Sequence, residues 1–513
     1  MLRRMIKKAL KNYCRTWFNN RFNNLFLISI FYFAILILLI LLGKRVFWPD
    51  EGIYIALGKY IFSKGNSGLF EPFRPFLLPL LLGLFWRVGI NPLIFGYVFE
   101  FVSGLACVIL TWEISEKLFG KKYALIASLF IITNLQFIIN STRIIADVPA
   151  LAFAITSIYF FLNRKYFLSG LFSGMSFMTR FTYGILPVMM LAVYFIEKMY
   201  WSKLKNEKRN KIYVKKLFFE IISFITGLII TTAPYFIYSK ISYGSLTWTL
   251  RSANCIVKSY AWFVEYSGFF TYLKKLFISM PLIVLSVLGM LCFLMALLSK
   301  KGVLKNFKGS EFTAFSLSAL CSLCFLFYII YFGIFVRQEA RYVLHTIFFA
   351  AMLIAFGMRC LEKRLNILNK SLSKIFNAAV AILILISVAW QLNYITDIYK
   401  GEYYSKSEGE LIEFLRNNIR NDDFLLTTTF VPAIYFDNKM LGFASYDYAL
   451  GVLEQNKFRK GLIIVNTCAY GCGINDYECQ LKRAEFLRVL EKEKLIFETK
   501  INSECSYRVY DNR

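Results

Sequence analysis

Four short runs in this 513-residue chain bring carboxylates and guanidinium groups together. The first is Trp48-Pro49-Asp50-Glu51-Gly52. Adjacent carboxylates can divide a reaction between them: one takes a proton from an incoming hydroxyl or amine, the other is its charge partner or a ligand to a divalent metal. The second is Glu71-Pro72-Phe73-Arg74-Pro75. Arg74 lies between residues of fixed φ, which suits a pre-set fork for phosphate, and Glu71 joins Glu51 as a candidate metal ligand. The third runs from Arg143 to Asp147-Val148-Pro149. Four residues apart on a helix, Arg143 and Asp147 would share a face and could pair. The fourth is Arg337-Gln338-Glu339-Ala340-Arg341-Tyr342, whose two arginines could clamp one phosphate or pyrophosphate. Arg180 adds a further cation. Plainer roles compete: Asp50 as the cap of a helix starting near Gly52, Arg74 as a snorkelling interface residue, Arg337 and Arg341 as headgroup anchors.

Other chemistries lack their residues. No Walker sequence and no glycine-rich dinucleotide loop is present, so a nucleotide-driven or redox step has no support. His345 is the only histidine and falls in an apolar run, where packing is the default expectation.

The elements that must hold these runs are apolar. Residues of the AVILMFWYC set make up 58% of the chain, with 53 Phe and 32 Tyr, more apolar surface than a water-soluble protein could cover. About eleven segments are long and apolar enough to be read as spans: 25–43, 92–111, 122–139, 146–162, 166–179, 181–196, 217–238, 278–298, 312–334, 342–358 and 375–396. The stretch 73–90, with Pro75, Pro79 and Arg87, reads as an interfacial helix. The net charge of +28 belongs entirely to this part: residues 1–396 carry about +30 and residues 397–513 about −2. That excess sits in short loops and the N-terminal arm, a topogenic pattern rather than a nucleic-acid footprint. Alternate basic loops put the N-terminus in the cytoplasm, the C-terminus outside, and all four runs on the outer side.

The fold class expected is therefore a polytopic α-helical membrane protein of about eleven transmembrane helices. Its membrane module covers 1–396, with an outward first loop at 44–91. A small extracytoplasmic α/β domain follows at 397–513, with helices at Glu408–Ile419 and Glu478–Glu493 and strands at Phe424–Thr429, Gly461–Val465, Lys494–Thr499 and Tyr507–Tyr510. Four of the 11 cysteines fall there: Cys468, Cys472, Cys479 and Cys505. An outward domain favours disulfides among them over zinc, whose usual spacings are missing, or over buried thiols.

Carboxylates and arginines together at headgroup depth suit a reaction on a lipid-linked phosphate. Asp50-Glu51 after the first span, Arg74-Pro75, Arg143 to Pro149 and Arg337 to Tyr342 resemble the GT-C glycosyltransferases, closest to the protein-mannosyltransferase and aminoarabinose-transferase branch. The resemblance covers most of residues 1–396. It implies inverting transfer of a sugar from a polyprenyl- or dolichyl-phosphate donor to an acceptor at the outer face of the cell membrane, the acceptor being a protein, lipid or glycan. Asp50 would then be the base and Glu51 its partner, with Asp147 also in the catalytic set. Arg74, Arg143, Arg337 and Arg341 would hold the donor phosphate. A divalent metal is left open. The sequence departs from the branch where Phe73-Arg74-Pro75-Phe76 replaces a Lys-Pro-Pro run, and where Tyr342-Val343-Leu344-His345 replaces Tyr-Leu-Leu-Pro. The Trp-Trp-Asp-Tyr-Gly run of oligosaccharyltransferases is absent. The competing class is a transporter or flippase for a lipid or lipid-linked sugar, which would use the same arginines without chemistry. A receptor-like protein, whose tail binds a partner, is the third.

Overall fold

The computed structural model describes residues 24–41, 48–204, 211–259, 268–279, 282–298, 310–334, 339–399, 403–442, 446–456, 459–467, 477–501, 503 and 505–513. Arg337, Cys468 and Cys472 lie outside them.

The first described element is α1 (24–41), long and apolar enough to cross a bilayer. Next is α2 (Pro49–Phe62). Pro49 at its first position is pre-set for a helix, and Asp50 and Glu51 in its first turn face the positive end of the helix dipole. The helix thus starts at Pro49 with Trp48 as cap residue, not near Gly52, and Asp50 is not its cap. α3 (Leu77–Arg87) is the short apolar helix expected at 73–90. α4 (Pro92–Phe119) opens on Asn91, whose side chain accepts from the Leu93 N–H at 2.9 Å.

The expected span 122–139 is a broken one: α5 (Lys121–Ile132) and α6 (Leu135–Ser141) meet at 64°. Asn134 supplies the reason, since its side chain caps α6 by accepting from Phe137 N–H at 2.9 Å. Then come α7 (Asp147–Leu162) and α8 (Tyr166–Thr179). Longer helices follow at Ile185–Leu204, Lys211–Tyr243, Ser310–Gly333, Leu344–Leu368 and Lys370–Tyr399. A second bent pair, 104° apart, spans Tyr272–Ser279 and Ile283–Met295.

Among the described residues seven helices are long and apolar enough to cross a membrane, or nine with each bent pair taken as one span. The other two expected spans are the 16-residue α7 and the 14-residue α8. On length these fall short of a straight crossing.

The C-terminal part carries a five-stranded sheet ordered β2-β1-β3-β5-β4. The strands are β1 (Phe424–Thr427), β2 (Met440–Gly442), β3 (Gly461–Asn466), β4 (Lys494–Lys500) and β5 (Ser506–Asp511). β1 pairs in parallel with β2 and β3, while β5 is antiparallel to β3 and β4. The period of two sorts β3: Leu462 and Ile464 join Leu411 and Leu415 on one face, Ile463 and Val465 join Phe486 and Leu490 on the other. Helices therefore cover both faces. Strand β2 and the helix Tyr446–Asn456 were not among the expected elements.

The sheet grips α2. Ala56 and Leu69 belong to the same core as Leu425, Met440 and Ile464. A Cβ on Gly52 would come within 2.2 Å of the Phe430 carbonyl oxygen. Gly68, at φ +75°, lends its backbone to edge strand β2: its N–H donates to Asn438 O at 2.9 Å, and its carbonyl accepts from Met440 N–H at 2.8 Å. Lys59 is buried in α2 and donates to the carbonyls of Ala433 (2.9 Å) and Phe436 (3.0 Å), with Asp437 at 2.8 Å. Burial pushes its ammonium below the usual lysine range, and the Asp437 carboxylate opposes that shift.

Candidate active site

Asp50 is the hub. One of its oxygens receives Arg74 at 2.9 Å and the other receives Arg341 at 2.5 Å. Three segments distant in sequence meet there: the first turn of α2, the 71–75 loop, and the 3₁₀ turn Ala340–Val343 that leads into Leu344–Leu368. Each arginine also has a carboxylate beside it in its own loop, Glu71 for Arg74 and Glu339 for Arg341. Burial pushes the Glu71 carboxyl up, and the adjacent Arg74 holds it back. Arg74 further lies over the Tyr54 ring, 5.2 Å from its centre, one α2 turn below Asp50.

Glu51 points into the protein and is fully buried. Its carboxylate accepts from the Tyr97 hydroxyl of α4 at 3.3 Å. No residue spacing announced Tyr97, because the two helices meet only in the fold.

The expected Arg143–Asp147 pair does not form as read. Residues 143–146 are not helical, so the four-residue spacing does not put the two on one face. Asp147 opens α7, with Pro149 two places on, and takes Arg180 at 2.7 Å. Arg180 in turn lies 5.4 Å from the centre of the Tyr342 ring, next to Arg341. Arg143 stacks over the Trp48 indole at 4.6 Å, which keeps it beside the start of α2. The buried Glu100 carboxylate of α4 fixes the backbone between them by accepting from Ile145 N–H at 3.0 Å.

His345 is fully buried among Tyr183, Tyr328, Phe332 and Tyr342, the packed role expected of it. It also ties two site turns together. Its Nδ1 faces the Tyr342 carbonyl at 3.2 Å, and its Nε2 meets the Thr182 hydroxyl at 2.6 Å. A carbonyl only accepts, so Nδ1 carries the proton.

Asp50, Glu51, Arg74, Asp147, Arg143 and Arg341 are thus gathered at one end of the bundle, with Arg180 the cation whose partner the sequence did not indicate. Among the described residues no three of His, Cys, Asp and Glu come together in a way that would hold a metal. Glu71, one of the two candidate ligands, is committed to Arg74 instead. In the sheet region Cys479 and Cys505 are both disulfide-bonded.

Broken apolar helices, a gathered set of arginines and carboxylates at one bundle end, and a mixed sheet seated on the first loop make up a GT-C-like fold. Residues 73–230 match the family Dolichyl-phosphate-mannose-protein mannosyltransferase. Over nearly the whole chain the fold is similar to ArnT from Cupriavidus metallidurans, solved bound to undecaprenyl phosphate: TM-score 0.61 at 12% identity, covering 95% of this chain and 97% of that one. The apo form of that ArnT gives a TM-score of 0.59 at 12% identity over 94% and 97% of the two chains. The apo oligosaccharyltransferase of Archaeoglobus fulgidus gives 0.50 at 12% identity over 85% and 69%. No curated protein sequence matches the chain.

Proposed function

We propose that this protein transfers a sugar from a polyprenyl- or dolichyl-phosphate donor to an acceptor at the outer face of a cell membrane, with inversion at the anomeric carbon. The observation that carries the proposal is the Arg74–Asp50–Arg341 bridge, a base candidate held between two phosphate forks. The donor phosphate, placed by a lipid tail among the helices, competes with Asp50 for both guanidinium groups and frees a carboxylate oxygen. That oxygen takes the proton as the acceptor hydroxyl or amine attacks the anomeric carbon from the opposite side. The bond to the phosphate oxygen breaks, and Arg74 and Arg341 receive the charge that develops on the departing phosphate. Glu51 and the Asp147–Arg180 pair fix the surroundings of the hub, and Arg143 and Arg337 add positive charge for the donor.

The sidedness rests on the basic loops and on the disulfide-bonded Cys479 and Cys505, which suit an oxidising compartment for the unit from about 397 onward. The test is sugar transfer by purified protein in detergent from a polyprenyl-phosphate sugar. Asp50→Asn should lower turnover by about 10²-fold or more, with the protein still folded, because an amide cannot accept the proton. Near-normal turnover by that variant removes Asp50 as base. Lipid translocation without transfer by the wild type overturns the proposal as a whole.

A further inference from the structure

At the end of the bundle opposite the candidate active site lies a cavity of about 640 Å³. It is lined by Arg164, Lys165 and Lys216 together with Phe167, Phe219 and Glu220. Its position follows from helix direction. α7 starts at Asp147 in the site and ends at Leu162, 16 residues or about 24 Å away. α8 returns from Tyr166 to Thr179, next to Arg180 in the site. The α7–α8 turn therefore lies the length of α7, about 24 Å, from the arginines that face the site.

The cavity walls are held apart by a rigid crossing. α8 and Lys211–Tyr243 pack backbone to backbone: a Cβ on Gly170 would sit 1.9 Å from the Phe224 carbonyl oxygen, and one on Gly227 would sit 2.2 Å from that of Phe167. Beyond that crossing the two helices leave a groove. Phe167 (39% exposed) and Phe219 (58%), the latter with Lys215 over its ring at 6.0 Å, line it together with the three cations. Its acid, Glu220, is already engaged: it accepts from the Tyr194 hydroxyl and lies 3.7 Å from Lys198.

A second observation singles out Arg164. Its φ is +59°, left-handed backbone that favours glycine, and it is one of two non-glycine residues with positive φ among those described. The turn is closed by Arg164 N–H to Phe161 O and Lys165 N–H to Phe160 O, both 2.9 Å. A residue that costs conformational energy stands where glycine would cost least, and it brings a charge to the groove.

We propose that this groove binds the headgroup of an anionic phospholipid, its acyl chain lying along Phe167 and Phe219 and its phosphate among Arg164, Lys165 and Lys216. The three cations and the two rings of the lining fit that one molecule: a free anion has no use for the rings, and a zwitterionic lipid has less for three cations. The site is independent of the sugar-transfer reading.

The test is titration of the full-length, detergent-purified protein with phosphatidylglycerol, using phosphatidylcholine and inorganic phosphate as comparisons, followed by native mass spectrometry. The variant combines Arg164→Gly, which suits the left-handed turn, with the surface changes Lys165→Gln and Lys216→Gln. Wild type should retain one phosphatidylglycerol in preference to phosphatidylcholine, and the triple variant should bind it at least about tenfold more weakly. Lys374→Gln, an exposed cation on another helix, should have no effect. The proposal is overturned by unchanged affinity in the triple variant, by an equal loss in Lys374→Gln, or by inorganic phosphate displacing the lipid.

Discussion

Arg341 donates to Asp50 through one arm of its guanidinium and is ion-paired with Glu339 at its Nε side, so its planar shape, and not only its charge, is in use. Arg341→Lys keeps the charge but loses the paired donors. Donor affinity should fall for Lys and fall further for Ala, with the Ala loss about 10- to 100-fold, corresponding to roughly 1.5–3 kcal/mol for a charge-assisted bond. Apparent donor affinities of the two variants in one detergent measure this, and a Lys variant equal to wild type would make Arg341 a headgroup anchor only. Asp147 is held in a different pair. Its side chain is fully buried against Arg180, so Asp147→Asn strands a mostly buried guanidinium. Breaking such a pair costs about 3–5 kcal/mol. A lowered midpoint of thermal unfolding is expected, with part of it recovered in the Asp147→Asn, Arg180→Gln double variant. Asp50, Glu51, Arg74 and Arg341 were legible in sequence because each stands at the end of an apolar run with the same predicted sidedness. The Asp147–Arg180 pair was not, because a local i, i+4 partner was available on paper and only the irregular backbone at 143–146 removes it.

Among the helices, α2 owes its position to a glycine crossing. A Cβ on Gly83 of α3 would lie 2.3 Å from the Gly58 carbonyl oxygen, and one on Gly58 would lie 2.5 Å from that of Pro79. Both contacts are with backbone, which cannot swing aside as a side chain does. Gly83→Ala should push α3 off α2, cost about 1–3 kcal/mol of stability and lower turnover although no site residue changes. Thermal unfolding and transfer rate together check it, and wild-type behaviour in both would show that the crossing relaxes freely. Hydropathy located nearly every apolar segment but not the bends, since 122–139 reads as one continuous run while Asn134 splits it by capping. In the sheet region β1 and β3 could be read as short buried apolar runs, and β4 and β5 as strand-like segments. The three-residue β2 is too short to be read as either, and its pairing is completed by Gly68, a residue some 370 positions upstream.

At the scale of the molecule, the sheet and the membrane helices share α2 as a common wall. Lys59 is the polar fastening: Asp437 is 63% exposed and adds little as an ion pair, so the two carbonyls of Ala433 and Phe436 define its role. Lys59→Met should leave those carbonyls without their donor at a cost of about 1–3 kcal/mol. Hydrogen exchange in peptides covering 430–442 should speed up while peptides from α4 stay unchanged, and transfer activity should fall. Unaltered exchange in 430–442 would mean that apolar contacts alone hold the sheet in place. The division into an apolar module and a balanced tail could be read from composition. That the tail closes over α2 could not, because neither segment carries a pattern that names the other.

Gly68 gives the protein a timetable. The backbone bonds it makes to Asn438 and Met440 cannot exist until the ribosome has made about 370 further residues. At roughly 5–20 residues per second that is a delay of some 20–75 s. Throughout that interval the helix bearing Asp50 and Glu51 has been delivered but lacks the surface it finally rests on. The newborn protein therefore passes that whole interval with α2 unclamped by the sheet, and strands from the far end of the chain complete the packing of one of its earliest helices.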